Sequence, residues 1–406
     1  MERRPESSPA SALARCVGDV PRFNATIWGR QPLVTTSIAR GSDGDHFEDV
    51  LSLDAVDEFV TNSARLPAIR MILDGSPLAP RQFCTSTRLG GRELLDVIDP
   101  VKVVARLGEG ATLVLQSLHR TSVTVAAFVT HLQDEISHPV QANAYLTPPE
   151  ATGLAEHADL HDVFALQLHG SKQWWVEGLG DLSLHPGDVM YIPRGVRHRA
   201  DTATETSLHL TIGIIRVTYR QVIERVLQHG PASLDDPLPI GYRHPAGRDG
   251  LERGVDLALE DVLDLIGAAD PEIVAVREQN RRLAPPPRVG RISSISRVDD
   301  LGLASVIQWA APQPLAKLIQ ELDGQLDDGD GRADVDQGAQ PPDRVTIDVG
   351  DRVLTLPTTT LSALRLLGDG HPVRVTDLPG LDEPGRLVLA RRLVREAACV
   401  IVTFDG

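Results

Sequence analysis

The chain has 406 residues, 42% of them hydrophobic, and a formal net charge of −16. That length supports two or three domains with ample core, and no apolar run approaches the roughly 20 residues of a membrane helix. The acidic balance argues against direct nucleic-acid binding, which calls for a basic stripe, and suits a basic partner or plain solubility.

The opening MERRPESSPASALARC carries charges and no apolar stretch, so residues 1–20 are expected to be a flexible tail without a signal peptide. Cys16, Cys84 and Cys399 are far apart and odd in number, which fits a reducing, cytoplasmic setting rather than a disulfide framework. Residues 21–216 hold short β-type runs at 112–116, 122–129, 162–168, 173–177, Val189–Ile192 and 207–215, separated by Gly and Pro turns. That spacing predicts a mainly β core, a sandwich or barrel. The stretch 46–65 is helix-like, with Ser52 as its N-cap.

From 217 the texture turns helical. VTYRQVIERVLQHG and the run from Leu251 to the prolines at 285–287 carry apolar residues at helical spacing, so 217–320 is expected to be a helical segment. Residues 321–343 hold eight acids against Arg332 and read as an acidic linker, since the arginine breaks the ligand order of a calcium loop. In 344–406 a hairpin, a helix, a short strand, an amphipathic helix and a closing strand suggest a winged-helix module. From Asp343 onward it has nine acids and eight arginines, near balance rather than a nucleic-acid footprint.

The chemistry concentrates in EHADLHDVFALQLHGSKQWW, 156–175. His157 and Asp159 stand two apart, so on a strand both face the same side. A third ligand comes from LHPGDVMYIPRGVRHRA, where a Gly-Asp turn, a buried strand and a Pro-x-Gly turn carry the chain to His198, 39 residues after Asp159. Two histidines and one carboxylate on one face leave three octahedral positions open, the donor set of non-haem Fe(II) oxygenases.

These segments, with QANAYLTPPE before them, FNATIWGRQPLV upstream and SLHLTIGI after, resemble the JmjC-type cupins known as ribosomal oxygenases. The resemblance implies a double-stranded β-helix (JmjC cupin barrel) at 21–216, a helical dimerisation segment at 217–320 and a winged-helix domain at 344–406. It implies an Fe(II)- and 2-oxoglutarate-dependent dioxygenase using O₂, with His157, Asp159 and His198 as metal ligands. Lys172, one of three lysines against 37 arginines, falls where the family places the basic residue that pairs the far carboxylate of 2-oxoglutarate. A lysine is a slim point charge that a tight interior can accept where a planar guanidinium does not fit. Asn143 matches the family's asparagine near the cosubstrate, and Thr211 adds a hydroxyl on the same inner face. The chain departs from the pattern at Gly213, where some relatives have serine, and the family does not use the position of His161 as a ligand. The implied substrate is a basic ribosomal protein, and the implied assembly a homodimer. Two other functions fit the same residues: a hydroxylase of a small molecule or peptide in a biosynthetic pathway, and an inactive cupin serving as a binding or regulatory protein.

Overall fold

The computed structural model describes residues 11–40, 46–149, 151, 155–202, 204–228, 230–280, 290–310, 344–349, 352–368 and 370–402. They belong to two units, Met1–Arg216 and Val217–Gly406.

The first unit contains β1 (Leu33–Thr35), β2 (Ile69–Leu73), β3 (Ser76–Pro77), β4 (Cys84–Leu89), β5 (Arg92–Ile98), β6 (Thr112–Leu115) and β7 (Val140–Thr147). It continues with β8 (His157–Ala158), β9 (Asp162–His169), β10 (Lys172–Val176), β11 (Gly180–Leu184), β12 (Val189–Ile192), β13 (Arg197–Thr202) and β14 (Ser207–Ile214). One antiparallel sheet runs β1-β12-β9-β14-β7-β6-β2-β3 and a second runs β11-β10-β13-β8, while β4 and β5 form a separate hairpin.

Alternation along the strands decides what each face does. On β7, Val140, Ala142 and Ala144 enter the main apolar core, and on β14 so do Leu208, Leu210, Ile212 and Ile214. The intervening residues, polar apart from Tyr145 and Gly213, therefore face the opposite way, because successive side chains alternate across a sheet. On β9 and β12 both faces are apolar: Phe164, Leu166, Val189 and Tyr191 join the main core, while Val163, Ala165, Met190 and Ile192 form an inner cluster with Trp174, Val176 and Leu184 of the second sheet. The space between the sheets is thus apolar along β9 and β12 and polar along β7 and β14.

Two local expectations are corrected. Residues 122–129 belong to a helix, Val123–Ile136, not a strand. Ser122 caps it by accepting from Val125 N, and Val125, Phe128, Val129 and Leu132 recur at helical spacing and are buried. The β-branched run favours a strand locally, but the helical apolar stripe prevails by packing on the outer core. The described part of the expected tail is also ordered. Ala12–Val17 is a helix with Ala12, Leu13, Cys16 and Val17 buried. Its first amides are satisfied from a distance: Ala12 N and Leu13 N donate to the Glu135 carboxylate at 3.0 and 2.8 Å, a favourable charge at a helix N-terminus. Ser52 does cap Leu53–Glu58, accepting from Ala55 N.

The β9–β10 turn needs glycine. Gly170 has φ +59°, and a β-carbon there would collide with the Thr206 carbonyl oxygen. Gly170→Ala is expected to lower stability by about 2 kcal/mol or more, read as a fall in urea midpoint at constant slope.

In the second unit, helices span Tyr219–Leu227, Arg248–Ala268 and Pro271–Asn280. Thr218 and Gln221 form a capping box on the first, and Arg225 donates twice to Glu278 at 2.8 and 2.6 Å. Leu257, Leu259 and Leu263 of the long helix are exposed. A separate core is built on β15 (Val306–Trp309), the hairpin β16 (Arg344–Val349) and β17 (Arg352–Pro357), β18 (Val373–Arg374), β19 (Cys399–Val402) and helices Leu361–Gly368 and Glu383–Arg395. β15 lies between β18 and β19. Val306–Trp309, expected within the helical segment, is therefore the middle strand of this sheet, because Ile307 and Trp309 are needed to complete its core. The acidic linker 321–343 and the prolines at 285–287 lie outside the described residues. Among the described residues no helix is long and apolar enough to cross a membrane.

Candidate metal centre and pocket

The β8–β13 pairing sets His157 directly opposite His198, with ring centroids 4.4 Å apart. Asp159 follows β8 and turns its carboxylate between them: Oδ1 is 3.9 Å from His157 Nε2 and Oδ2 is 3.6 Å from His198 Nε2. One ligand atom from each residue lies within 4.8 Å of the other two, and among the described residues this is the one such group.

The imidazoles are oriented for ligation. His157 Nδ1 donates to the Ala155 carbonyl at 2.8 Å and His198 Nδ1 to the Val196 carbonyl at 3.1 Å. A carbonyl only accepts, so the proton sits on Nδ1 in both rings and each Nε2 presents its lone pair to the centre. Burial holds the His198 pKa below the ordinary imidazole range, against the pull of the Val196 carbonyl and Asp159, which keeps it neutral and ready to ligate.

The three residues open onto a pocket between the two sheets that Asn143, Thr211 and Lys172 also line. Thr211 and Asn143 are register partners on β14 and β7. Asn143 Oδ1 accepts from Ser117 N at 2.9 Å, which fixes the amide so that its NH₂ remains available. Lys172 is 3% exposed, and its Nζ donates to Thr147 Oγ1 at 3.1 Å. Thr112 Oγ1 donates to the same hydroxyl at 3.3 Å. Burial depresses the Lys172 pKa to about 8, with the Asp201 carboxylate opposing. Among the described residues no carboxylate forms an ion pair with it. All six residues singled out in the sequence therefore surround one cavity.

Residues 120–179 and 176–222 match the JmjC domain family. This chain carries a JmjC domain. The bifunctional lysine-specific demethylase and histidyl-hydroxylase NO66 of Branchiostoma floridae is 41% identical over 127 residues, 30% of this chain and 20% of that protein. Ribosomal oxygenase 1 of Bos taurus is 26% identical over 327 residues, 72% of this chain and 44% of that protein. The chain thus spans less than half the length of either relative. The Escherichia coli ribosomal oxygenase YcfD superposes with a TM-score of 0.52 at 18% identity, covering 95% of this chain and 99% of that one. At that identity the likeness shows the fold.

Within the JmjC domain a buried acid ties the ligand segments together. Asp162, fully buried, accepts from Tyr191 Oη and Arg194 N, each at 2.7 Å, and pairs with Arg216 at 3.2 Å. Tyr191 Oη in turn accepts from Gly29 N at 2.8 Å. Gly195 N donates to the Asp159 carbonyl at 3.0 Å, so the 193–195 turn leading to His198 is fastened to Asp159 and Asp162 alike. Asp162→Ala is expected to lose about 2–3 kcal/mol of stability and to weaken cobalt binding about tenfold, read by denaturation and by cobalt titration.

The sequence reading passed over Thr147, Thr112 and Gln141 in this pocket. Thr147 and Gln141 had a usable signal: in VQANAYLT they share parity with Asn143. Thr112, on a strand with all four residues buried, had none. Trp174 lines the pocket floor, while Trp175 lies under Arg199, whose guanidinium is 5.5 Å from the ring centroid.

Proposed function

We propose that the protein is an Fe(II)- and 2-oxoglutarate-dependent dioxygenase that uses O₂ to hydroxylate a side chain of a ribosomal protein. The observation that carries this reading is the pairing, in one pocket, of a His-Asp-His set with a buried ammonium that has no ion-pair partner among the described residues. A buried unpaired cation is costly and calls for an anion. The dicarboxylate cosubstrate supplies one in its far carboxylate.

The donors fit the metal. His157 and His198 turn their Nε2 atoms to the centre, Asp159 adds a carboxylate, and the trio opens onto the pocket, as the chemistry of Fe(II) requires. When bound, iron supplies O₂ activation coupled to oxidative decarboxylation of 2-oxoglutarate. The rest is the work of the chain. Lys172, held by Thr147, pairs the far carboxylate; Asn143 and Thr211 offer a donor amide and a hydroxyl to the near end. Tyr145 and Trp174 line the same pocket, each with its ring against His209. Tyr145 stacks on His209 at 4.9 Å with an interplanar angle of 4°, and burial together with Lys172 holds the His209 pKa well down, so it stays neutral beside the cation.

Relatives named for ribosomal oxygenase and histidyl-hydroxylase activity support the substrate class. A YcfD structure in complex with cobalt and 2-oxoglutarate, which superposes with a TM-score of 0.51, supports the cosubstrate. The net charge of −16 suits a basic ribosomal protein. In the same proposal 217–320 contributes a dimer contact through its exposed leucines, and 344–406 is a winged-helix module in a supporting role.

The test is succinate release by anaerobically iron-loaded protein, wild type against His157→Ala, with and without ribosomal proteins. Turnover that needs His157 and rises with one ribosomal protein is expected. Turnover indifferent to ribosomal proteins would move the substrate to a small molecule or peptide, and no turnover without bound iron would leave a binding protein.

A further inference from the structure

The pocket has two ends, and only one is accounted for by the cosubstrate. Along the second sheet, Lys172 pairs with Thr202, Trp174 with Ala200 and Val176 with His198. Lys172 therefore stands four residues, about 13 Å of strand, from the level of the triad. Along the large sheet the facing pairs are Thr147–Ser207, Tyr145–His209, Asn143–Thr211 and Gln141–Gly213. The Lys172–Thr147 hydrogen bond fixes the first pair as the cosubstrate end. The Gln141–Gly213 pair lies at the other.

At that end the His161 ring occupies the space a side chain on Gly213 would fill. A β-carbon on Gly213 would collide with His161 Nε2 and Cδ2, and would come within 3.3 Å of Gln141 Cγ. Gly213 has no positive φ, so it is not demanded by backbone conformation. Its smallness serves the ring. His161 and Gln141 both line the pocket, and among the described residues neither side chain has a hydrogen-bond partner. Two planar polar heads therefore sit side by side at the end away from Lys172, both without hydrogen-bond partners among the described residues.

We propose that His161 and Gln141 grip the polar head of the target side chain, and that Gly213 is the seat that admits the His161 ring. The inference rests on the oxygenase reading above and names what that site selects. A cosubstrate anchored on Lys172 approaches the triad from one side, so the target arrives from the other, across His161 and Gln141. An imidazole and a carboxamide each donate and accept, which matches a nitrogen-bearing head on a ribosomal protein. An aliphatic side chain would leave both unpaired, and sites built to hydrogen-bond a substrate reject analogues that lack the group.

The site oxidised by wild type in a total ribosomal protein extract is first located as a one-oxygen mass gain. A peptide spanning it is then made with its native residue and with leucine at the target position. Binding is measured to the zinc-loaded protein, and turnover to the iron-loaded one. His161→Ala is expected to weaken native-peptide binding at least about 10-fold while the affinity for 2-oxoglutarate moves less than about twofold. His161→Gln, which keeps a donor and an acceptor, recovers part of the loss. Gly213→Ala reproduces the His161→Ala defect, and the double variant adds little to either single change, because no ring remains to collide. Leucine peptide binding is weak in wild type and unchanged by His161→Ala.

Wild-type peptide affinity in His161→Ala would overturn the proposal, even if Gly213→Ala failed to fold. So would a parallel loss of cobalt or 2-oxoglutarate affinity, which would put His161 with the triad or the cosubstrate. A wild type that releases succinate but oxidises nothing in the extract overturns this inference and leaves the oxygenase standing. One that releases no succinate overturns both.

Discussion

His157→Ala and Asp159→Ala are each expected to abolish cobalt binding and to cut succinate release by about 10³-fold or more, the loss of several kcal/mol of metal-supplied stabilisation. The two effects should appear together because, among the described residues, each is one of the three in the group that could hold a metal. The fold should survive. The His157 side chain is 39% exposed and that of Asp159 28%, and the segment is held independently by the Gly195 N–H donating to the Asp159 carbonyl and by Asp162. An unchanged melting curve with lost cobalt absorption is the expected pair of results. Retained turnover in Asp159→Ala would remove the carboxylate from the centre and with it the proposed chemistry.

Lys172→Met is expected to raise the 2-oxoglutarate dissociation constant about 100-fold or more, as truncating one partner of a buried charge pair does. The same substitution should stabilise the ligand-free protein. Lowering the lysine from 10.5 to about 8 represents about 3 kcal/mol of native-state cost at neutral pH, at 1.36 kcal/mol per pH unit. Methionine fills a similar volume without the charge. Opposite signs for binding and stability are the mark of a cation kept for a ligand, and a loss of both would make Lys172 a structural residue.

The pH dependence has a defined direction. Below about pH 8 the lysine is charged in folded and unfolded chains alike, and its cost is fully present. Between about 8 and 10.5 the unfolded chain holds a proton that the folded one has released, so this group makes stability rise with pH. Cosubstrate affinity moves the other way. Above about pH 8 the free protein loses the cation that pairs the carboxylate, and affinity should fall by up to about tenfold per pH unit. Calorimetric titration of 2-oxoglutarate into cobalt-loaded protein from pH 7 to 9.5 reads this directly. Lys172→Arg keeps a cation at every pH, so its affinity should lose the pH slope.

Much of the site was legible in the chain. The spacing of His157 and Asp159, the Gly-Asp and Pro-x-Gly turns before His198, and an isolated lysine among arginines are local patterns whose meaning survives folding. Alternation in VQANAYLT and SLHLTIGI likewise states which residues share a face, because the period of a strand is two whatever it pairs with. Composition and periodicity set the mainly β first unit and the helical stretch after 217.

Other features were decided only by tertiary structure. Residues 122–129 have strand-forming composition, yet the Ser122 cap and a buried stripe from Val125 to Leu132 make a helix, since burial outweighs a propensity of a few tenths of a kcal/mol per residue. The helix Ala12–Val17 depends on Glu135, more than a hundred residues away. Val306–Trp309 is a strand because β18 and β19 flank it. The seating of His161 over Gly213 joins two loosely spaced residues through the β14–β9 pairing that holds Gly213 opposite Val163. Local sequence encodes which side chains can do chemistry and which way a strand turns them. Which of them meet is set by long-range pairing and burial, and no stretch of neighbouring residues contains that information.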